Sequence, residues 1–327
     1  MKKTILAAAV ASTVTSFAMA DISITGDAKF EYKAHDTGSA TSNTTNTEMH
    51  INIVGKQGDT SVVVKTEIDS HGTNGSTLDI EDNYITTKVG DVSVKAGNYA
   101  SGTSGLLGEI EEGSRATNKV TLGYSTSGVD FYLGNSGTGG TSTLGVDGES
   151  VIDGNMFAGA GFTVAGQRVE IKHNNATKDS WGAKGSVQGI NYRYETSDDD
   201  TDGDTSYLEL STKIGGMTLQ YAALDADATG GLEETDSSVF AQEAANSTGD
   251  ATAQQQIALS TAIDGTNVTF KTGSIENGLS TGDQDYFQVS ASRALASGAT
   301  LVVSFDDNDT SSSASKETLE VELNVKF

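Results

Sequence analysis

The sequence predicts an all-β protein, a transmembrane antiparallel β-barrel of 16–18 strands. Three observations carry that prediction. The segment 318–327, TLEVELNVKF, alternates strictly, with Leu319, Val321, Leu323, Val325 and Phe327 on one parity and Thr318, Glu320, Glu322, Asn324 and Lys326 on the other. Residues two apart share a face of an extended strand, so this strand has one apolar and one charged face, which suits a wall between lipid and water. The same texture recurs in segments of about ten residues along the whole chain, without a linker or a composition shift. Finally, the breaks between segments alternate between tight and long, as when short turns gather on one rim of a barrel and long loops on the other.

The first twenty residues read as a signal peptide. Lys2 and Lys3 form its positive start, residues 5–11 its apolar core, and Ala18-Met19-Ala20 its cleavage site. Cleavage before Asp21 leaves residues 21–327 as a single barrel domain. No other apolar run is long enough for a transmembrane helix. A membrane-spanning chain without such helices must close into a barrel, because lipid offers the backbone no hydrogen-bond partners. The chain has no Cys, so its fold relies on no disulfide, and no Pro, which would remove a donor from the ladder. Acidic residues number 45 against 20 basic ones. Without Lys2 and Lys3 the balance is 18 − 45 = −27, a surface that attracts cations and excludes nucleic acid as a partner.

From Asp21 the first strand, DISITGDAKFEYK, puts Ile22, Ile24, Ala28, Phe30 and Tyr32 on one face and Lys29, Glu31 and Lys33 on the other. A polar loop is expected at 34–45. Strands then follow at 46–56 and 59–69, where Val62, Val64 and Ile68 oppose Lys65 and Glu67. Further pairs are read at 78–89 and 91–99, 118–126 and 128–135, and 152–164 and 166–174. The series goes on with 179–188 and 189–197, 204–215 and 216–225, and 251–263 and 266–275, and it ends with 284–295, 299–307 and 316–327. This reading counts eighteen strands, with sixteen as the alternative. Ten residues at about 3.3 Å, tilted about 45°, rise roughly 23 Å, close to the apolar band of such barrels. Phe30, Tyr32, Tyr194 and Phe305 near the loop side, and Tyr124 and Phe327 near the turn side, fit two interfacial girdles.

At this point the chain resembles the general porins of Gram-negative bacteria, most closely the alphaproteobacterial type. The resemblance is carried by the Ala18-Met19-Ala20 signal, the start DISITGDAKFEY, the strand GDVSVKAGNY at 90–99 and the closing LNVKF. It implies an outer-membrane homotrimer of 16-stranded barrels, or 18 in the sugar-specific relatives, surrounded by lipid and lipopolysaccharide. It also implies passive diffusion of ions and small hydrophilic solutes and a third loop folded into each pore. Phe327 would be the signal read by the barrel-assembly machinery. The third loop, ASGTSGLLGEIEEGSR at 100–115, would then place Glu109, Glu111, Glu112 and Arg115 at a constriction, with Leu106, Leu107 and Ile110 pinning it to the inner wall.

Lumen-parity positions carry most of the scarce cations: Lys29, Lys33, Lys65, Lys95, Arg168 and Arg193, with Lys172, Lys184, Lys213 and Lys271. Loop carboxylates facing wall cations would set up a transverse field that favours small polar solutes, and the acidic excess predicts cation selectivity. Two other readings stay open. One is a substrate-selective channel for sugars or small organic cations, to which Tyr132 and Tyr207 at lumen parity lend slight support. The other is a non-conducting structural or adhesive barrel.

Asp198-x-Asp200-x-Asp202-Gly203-x5-Glu209 matches an EF-hand calcium loop in spacing, but strands rather than helices flank it. The expectation is at most a loosely held Ca2+ among Asp198, Asp200, Asp202 and Asp204, bridging to lipopolysaccharide; no other cofactor is expected. The four histidines, at 35, 50, 71 and 173, form no catalytic pattern, and the chain reads as no enzyme. Residues 235–246 read as a short helix resting Val239 and Phe240 on the barrel or a neighbour. Gly182, Ala183 and Gly185 read as small outward residues at a subunit contact.

Overall fold

The computed structural model describes residues 21–71, 76–100, 106–107, 115–135, 156–174, 178–199, 203–226, 239–241, 251–277, 282–311 and 315–327. The signal peptide, Glu109, Ile110, Glu111, Glu112, Asp200 and Asp202 lie outside them, and of Arg115 only the backbone is described. There are eighteen strands, settling the count at the higher number. They begin with β1 (Asp21–Asp36), β2 (Thr41–Gln57), β3 (Thr60–His71), β4 (Ser76–Val89), β5 (Val92–Ala100) and β6 (Arg115–Thr126). The middle of the sheet is β7 (Val129–Asn135), β8 (Met156–Val164), β9 (Gln167–Asn174), β10 (Lys178–Val187), β11 (Ile190–Asp199) and β12 (Thr205–Ile214). It ends with β13 (Met217–Ala226), β14 (Ala251–Ile263), β15 (Thr266–Asn277), β16 (Gln284–Ala294), β17 (Thr300–Thr310) and β18 (Lys316–Lys326). Each strand pairs antiparallel with its neighbours in sequence, and β1 pairs with both β2 and β18. The sheet therefore closes, leaving no edge.

The two-residue turns all join an even strand to the next odd one, so they share the rim where β1 starts and β18 ends. They are built around positive φ. Ser127, Ala165, Gln188 and Asp264 each adopt φ near +50° before a glycine that is also positive, the type I′ pattern whose twist matches the flanking strands. Gly58 and Gly90 supply the single positive φ of a type II′ turn.

Three features depart from strict alternation. The segment expected as a loop at 34–45 is mostly strand: β1 and β2 stay paired as far as Asp36 and Thr41, and only 37–40 turn over. Gly38, at φ 71°, donates its N–H to Asp36 Oδ1 at 2.7 Å. Thr and Asn side chains on both faces hide this extension from a pattern reading, while the β-branched threonines support it. In β4 the extra residue Glu81 makes a bulge, since Lys65 faces Asp82 but Thr66 faces Ile80. Leu78 and Ile80 point outward before it, Ile85 and Val89 after it, so the parity flips. A second shift separates Gly97 from Tyr99 along β5–β6.

Closure ends on the last residue. Phe327 exchanges both backbone hydrogen bonds with Gly26 at 2.9 Å each. Its ring lies over Gly26, where an added Cβ would come within 2.8 Å of Phe327 Cζ and collide with the His50 carbonyl. The outer face exposes Ile22, Ile24, Leu122, Ile171, Ile257, Leu323 and their like all round the barrel. Toward the loop rim Phe270, Phe287 and Phe305 of three adjacent strands line up, with ring centroids 6.4 and 5.8 Å apart. Trp181 and Tyr194 pair similarly at 5.2 Å.

Candidate functional site

The opposite face of each strand turns inward, and much of it is charged. On β1 and its neighbours Lys29 Nζ sits 2.9 Å from Glu48 and 3.7 Å from Glu31, while Lys33 Nζ lies 3.2 Å from Glu31 and 3.3 Å from Glu320. Lys65 bonds Asp82 at 2.8 Å across the bulge. Arg168 meets Asp130 at 2.9 Å near the turn rim. Arg193 is held by the fully buried Glu195 on its own strand. Five of the six basic wall residues thus face a carboxylate of the same wall. Such pairs fix side chains in place but leave little net charge for a passing ion.

Lys95 differs. Its ammonium lies 4.2 Å from the centroid of Tyr84 and 4.0 Å from that of Tyr99, between two ring faces whose π-electrons attract a cation. The rings meet edge to face at 5.7 Å, and Tyr99 OH is anchored on Thr121 at 2.8 Å. Beside them Lys119, almost wholly buried, approaches the Tyr99 ring at 5.6 Å, and Lys172 approaches Phe157 at 5.2 Å. Sequence reading singled out neither Lys119 nor the tyrosines at 84, 99 and 286. Lys119 has the parity opposite to Val120 and was open to the same argument, whereas Tyr84 lies beyond the Glu81 bulge, where parity counted from Leu78 points it the wrong way.

Two chain segments from the loop side lie inside the barrel. Leu106 and Leu107 of the third loop are buried against the inner wall, and a Cβ on Gly182 would stand 3.0 Å from Leu107 Cδ2 and 3.2 Å from Leu106 Cγ. Arg193 donates from its guanidinium to the Leu106 carbonyl at 3.0 Å. Gly182 is therefore inward-facing and receives the loop, correcting its assignment to the outer surface. It alternates with Trp181 on the outside, and only a residue without a side chain leaves room for two leucines. The second segment is 239–241. Phe240 rests on the inner face of the barrel, buried among Leu107, Tyr207, Ala222, Leu224, Ala226, Ile275 and Tyr286, edge-on to the Tyr207 ring at 6.4 Å. Gln256 clasps the backbone on either side. Its Oε1 accepts from Ala241 N–H and its Nε2 donates to the Val239 carbonyl, both at 2.7 Å.

Of the calcium pattern, Asp200 and Asp202 lie outside the described residues, and Asp198 and Asp204 flank the connection from β11 to β12 just beyond the Ser197–Thr205 pair. Asp198 sits within β11 opposite Asp179, with strands on both sides of the intervening connection. Glu209 points into the lumen, where it accepts from Gln220 Nε2 at 2.8 Å and Tyr207 OH at 3.2 Å. Asp204 directly precedes β12.

An apolar exterior, a charged and aromatic interior and a sheet without edges define a transmembrane barrel of porin architecture. No protein-family model and no curated protein matches the chain. Solved structures do share its fold. OpdL of Pseudomonas aeruginosa superposes with a TM-score of 0.64 at 12% identity, over 94% of this chain and 99% of that one. OpdK of the same organism, solved with vanillate, gives 0.62 at 11% over 94% and 98%. A mutant Rh. blastica porin gives 0.56 at 14% over 94% and 100%. At these identities the likeness is one of fold.

Proposed function

We propose that this protein is an outer-membrane channel through which ions and small hydrophilic solutes diffuse passively, without catalysis. The observation that carries the proposal is the closed eighteen-stranded wall, apolar outside and ionised inside, a number of strands that encloses water rather than side chains alone. The finer points belong to the same proposal. The channel is a homotrimer of the alphaproteobacterial general-porin type, inserted by the barrel-assembly machinery that reads Phe327. Glu109, Glu111 and Glu112 add negative charge to its narrowest part and make it cation-selective, consistent with a net charge of −25. Loosely held Ca2+ at the rim near Asp198 and Asp204 bridges to lipopolysaccharide.

A second reading, a channel selective for particular organic solutes, is favoured by one feature. Tyr84, which parity did not give, joins Tyr132 as an inward-facing, half-buried tyrosine, while Tyr99, Tyr207 and Tyr286 turn inward but are buried beneath their neighbours. The test is single-channel conductance of the refolded mature chain in a planar bilayer under a salt gradient. Stepwise openings in threes with a cation-favouring reversal potential are expected. An anion-favouring potential would remove the selectivity, and folded barrels that pass no current would end the proposal.

A further inference from the structure

One inward cluster gathers an imidazole among three carboxylates. On β2 and β3, Glu48, His50 and Glu67 each bring one ligand atom within 4.8 Å of the others. The register sets His50 directly between Asp27 of β1 and Glu67 of β3, with Glu48 two residues along on the same face. We propose that these three side chains form a binding site for a divalent transition-metal ion on the lumen wall, with Asp27 holding the imidazole from behind.

The arrangement around His50 is the reason. Nδ1 lies 3.2 Å from Asp27 Oδ2, a bond in which the ring N–H donates to the carboxylate. That bond orients the ring and turns Nε2 the other way, toward Glu48, where an entering ion would take the place of a proton shared between the two. Metal-bound histidines have this carboxylate behind them as a rule, because it orients the ring and raises its basicity. Nε2 in turn lies 3.1 Å from Glu48 Oε1. Two ligand atoms bound to one tetrahedral ion at about 2.0–2.2 Å stand roughly 3.3 Å apart, so nitrogen and oxygen are already near the separation an ion between them requires. Glu48 turns Oε1 toward His50, while Lys29 holds Oε2 at 2.9 Å. Glu67 has no hydrogen-bond or ion-pair partner among the described residues.

Charge agrees with geometry. Asp27, Glu48 and Glu67 bring three negative charges and Lys29 one positive charge. From β3 and β4, Lys65 is neutralised by Asp82, and Glu81 adds a further carboxylate nearby. One nitrogen and two carboxylates, with a fourth position open to lumen water, suit Zn2+, Co2+ or Ni2+. Ca2+ and Mg2+ demand six or more oxygens and are poorly served. The second carboxylate group of the lumen, Glu31, Glu320 and Glu322, lacks an imidazole and is occupied by Lys33.

The test is calorimetric titration of the folded full chain in detergent micelles with Zn2+, followed by Co2+ absorption spectroscopy. The expected result is one ion per chain at micromolar affinity, a tetrahedral Co2+ spectrum, and no competition from excess Mg2+. His50→Gln and Glu67→Gln should each weaken binding at least about tenfold. Asp27→Asn, a change in a positioning residue, should do so by about 10–100-fold, with an altered Co2+ spectrum. Folding of each variant is checked by heat-modifiable gel mobility, and the three variants sit on different strands, so one misfolded variant leaves two tests standing. Absence of saturable binding by the wild-type barrel would overturn the proposal. So would His50→Gln binding zinc as tightly, or Mg2+ displacing it, since either would reduce the cluster to a generic acidic surface. Binding in micelles needs no conductance, so failure of this site and failure of the channel reading are separate outcomes.

Discussion

The burial of Phe240 allows a quantitative prediction about the lumen. Its ring is packed among seven buried residues of the wall and the third loop, and the Gln256 amide bonds the backbone on either side. Truncating a buried Phe to Ala costs about 3–5 kcal/mol, whereas each amide hydrogen bond contributes about 0.5–1.5 kcal/mol. Packing therefore outweighs the clasp, and Phe240→Ala should lose most of the anchoring energy. Taking about 3 kcal/mol, the ratio of anchored to released segment falls by roughly two powers of ten. The readout is hydrogen exchange at the Ala241 amide, whose proton is bonded to Gln256 Oε1. Its exchange should accelerate about a hundredfold, while ladder amides of β14 such as Ala258 stay protected, because local opening leaves the barrel intact. Gln256→Ala should produce a smaller acceleration of the same amide. If Ala241 exchanged at the wild-type rate in Phe240→Ala, the packing account would be wrong and the segment would be held by something else.

Two further perturbations follow from the same geometry. Lys95→Gln removes a wall cation that has no carboxylate partner among the described residues, and should shift the reversal potential toward cations. Lys29→Gln, which leaves Glu48 without its lysine partner, makes a comparison in which the selectivity change reports that carboxylate; equal, null shifts from both variants would show that wall charge does not govern selectivity. Gly26→Ala places a methyl group against the His50 carbonyl, which belongs to the paired backbone and cannot rotate away. The barrel should then melt several degrees lower in a heat-modifiability assay, a loss of about 1–3 kcal/mol from overpacking, and an unchanged transition would mean the seam tolerates more separation than the close contact implies.

Much of the wall is legible in the chain because its signals are local. Two-residue turns with glycine at Gly128, Gly166, Gly189 and Gly265 announce hairpins, and period-2 alternation in segments such as 318–327 announces which side chains meet lipid. The interior is less legible. Leu106 and Leu107 stand out as apolar residues in a polar loop, but nothing local says that Gly182, some seventy-five residues later, is the place that receives them. Phe240 gives the same weak signal, and its partners come from β12 to β16.

By itself, then, the sequence determined the barrel class, the sorting of turns and loops between rims, and the two faces of each regular strand, and left the strand count at sixteen or eighteen. These depend on propensities and on a two-residue repeat that is the same wherever the strand lies. Only the tertiary structure decided which lumen charges meet, where parity breaks at Glu81, how Phe327 closes on Gly26, and that His50 stands between Asp27 and Glu67. Each of these depends on register between strands distant in sequence, and register is fixed when the whole sheet closes, since a slip of one residue would turn every inward charge toward lipid.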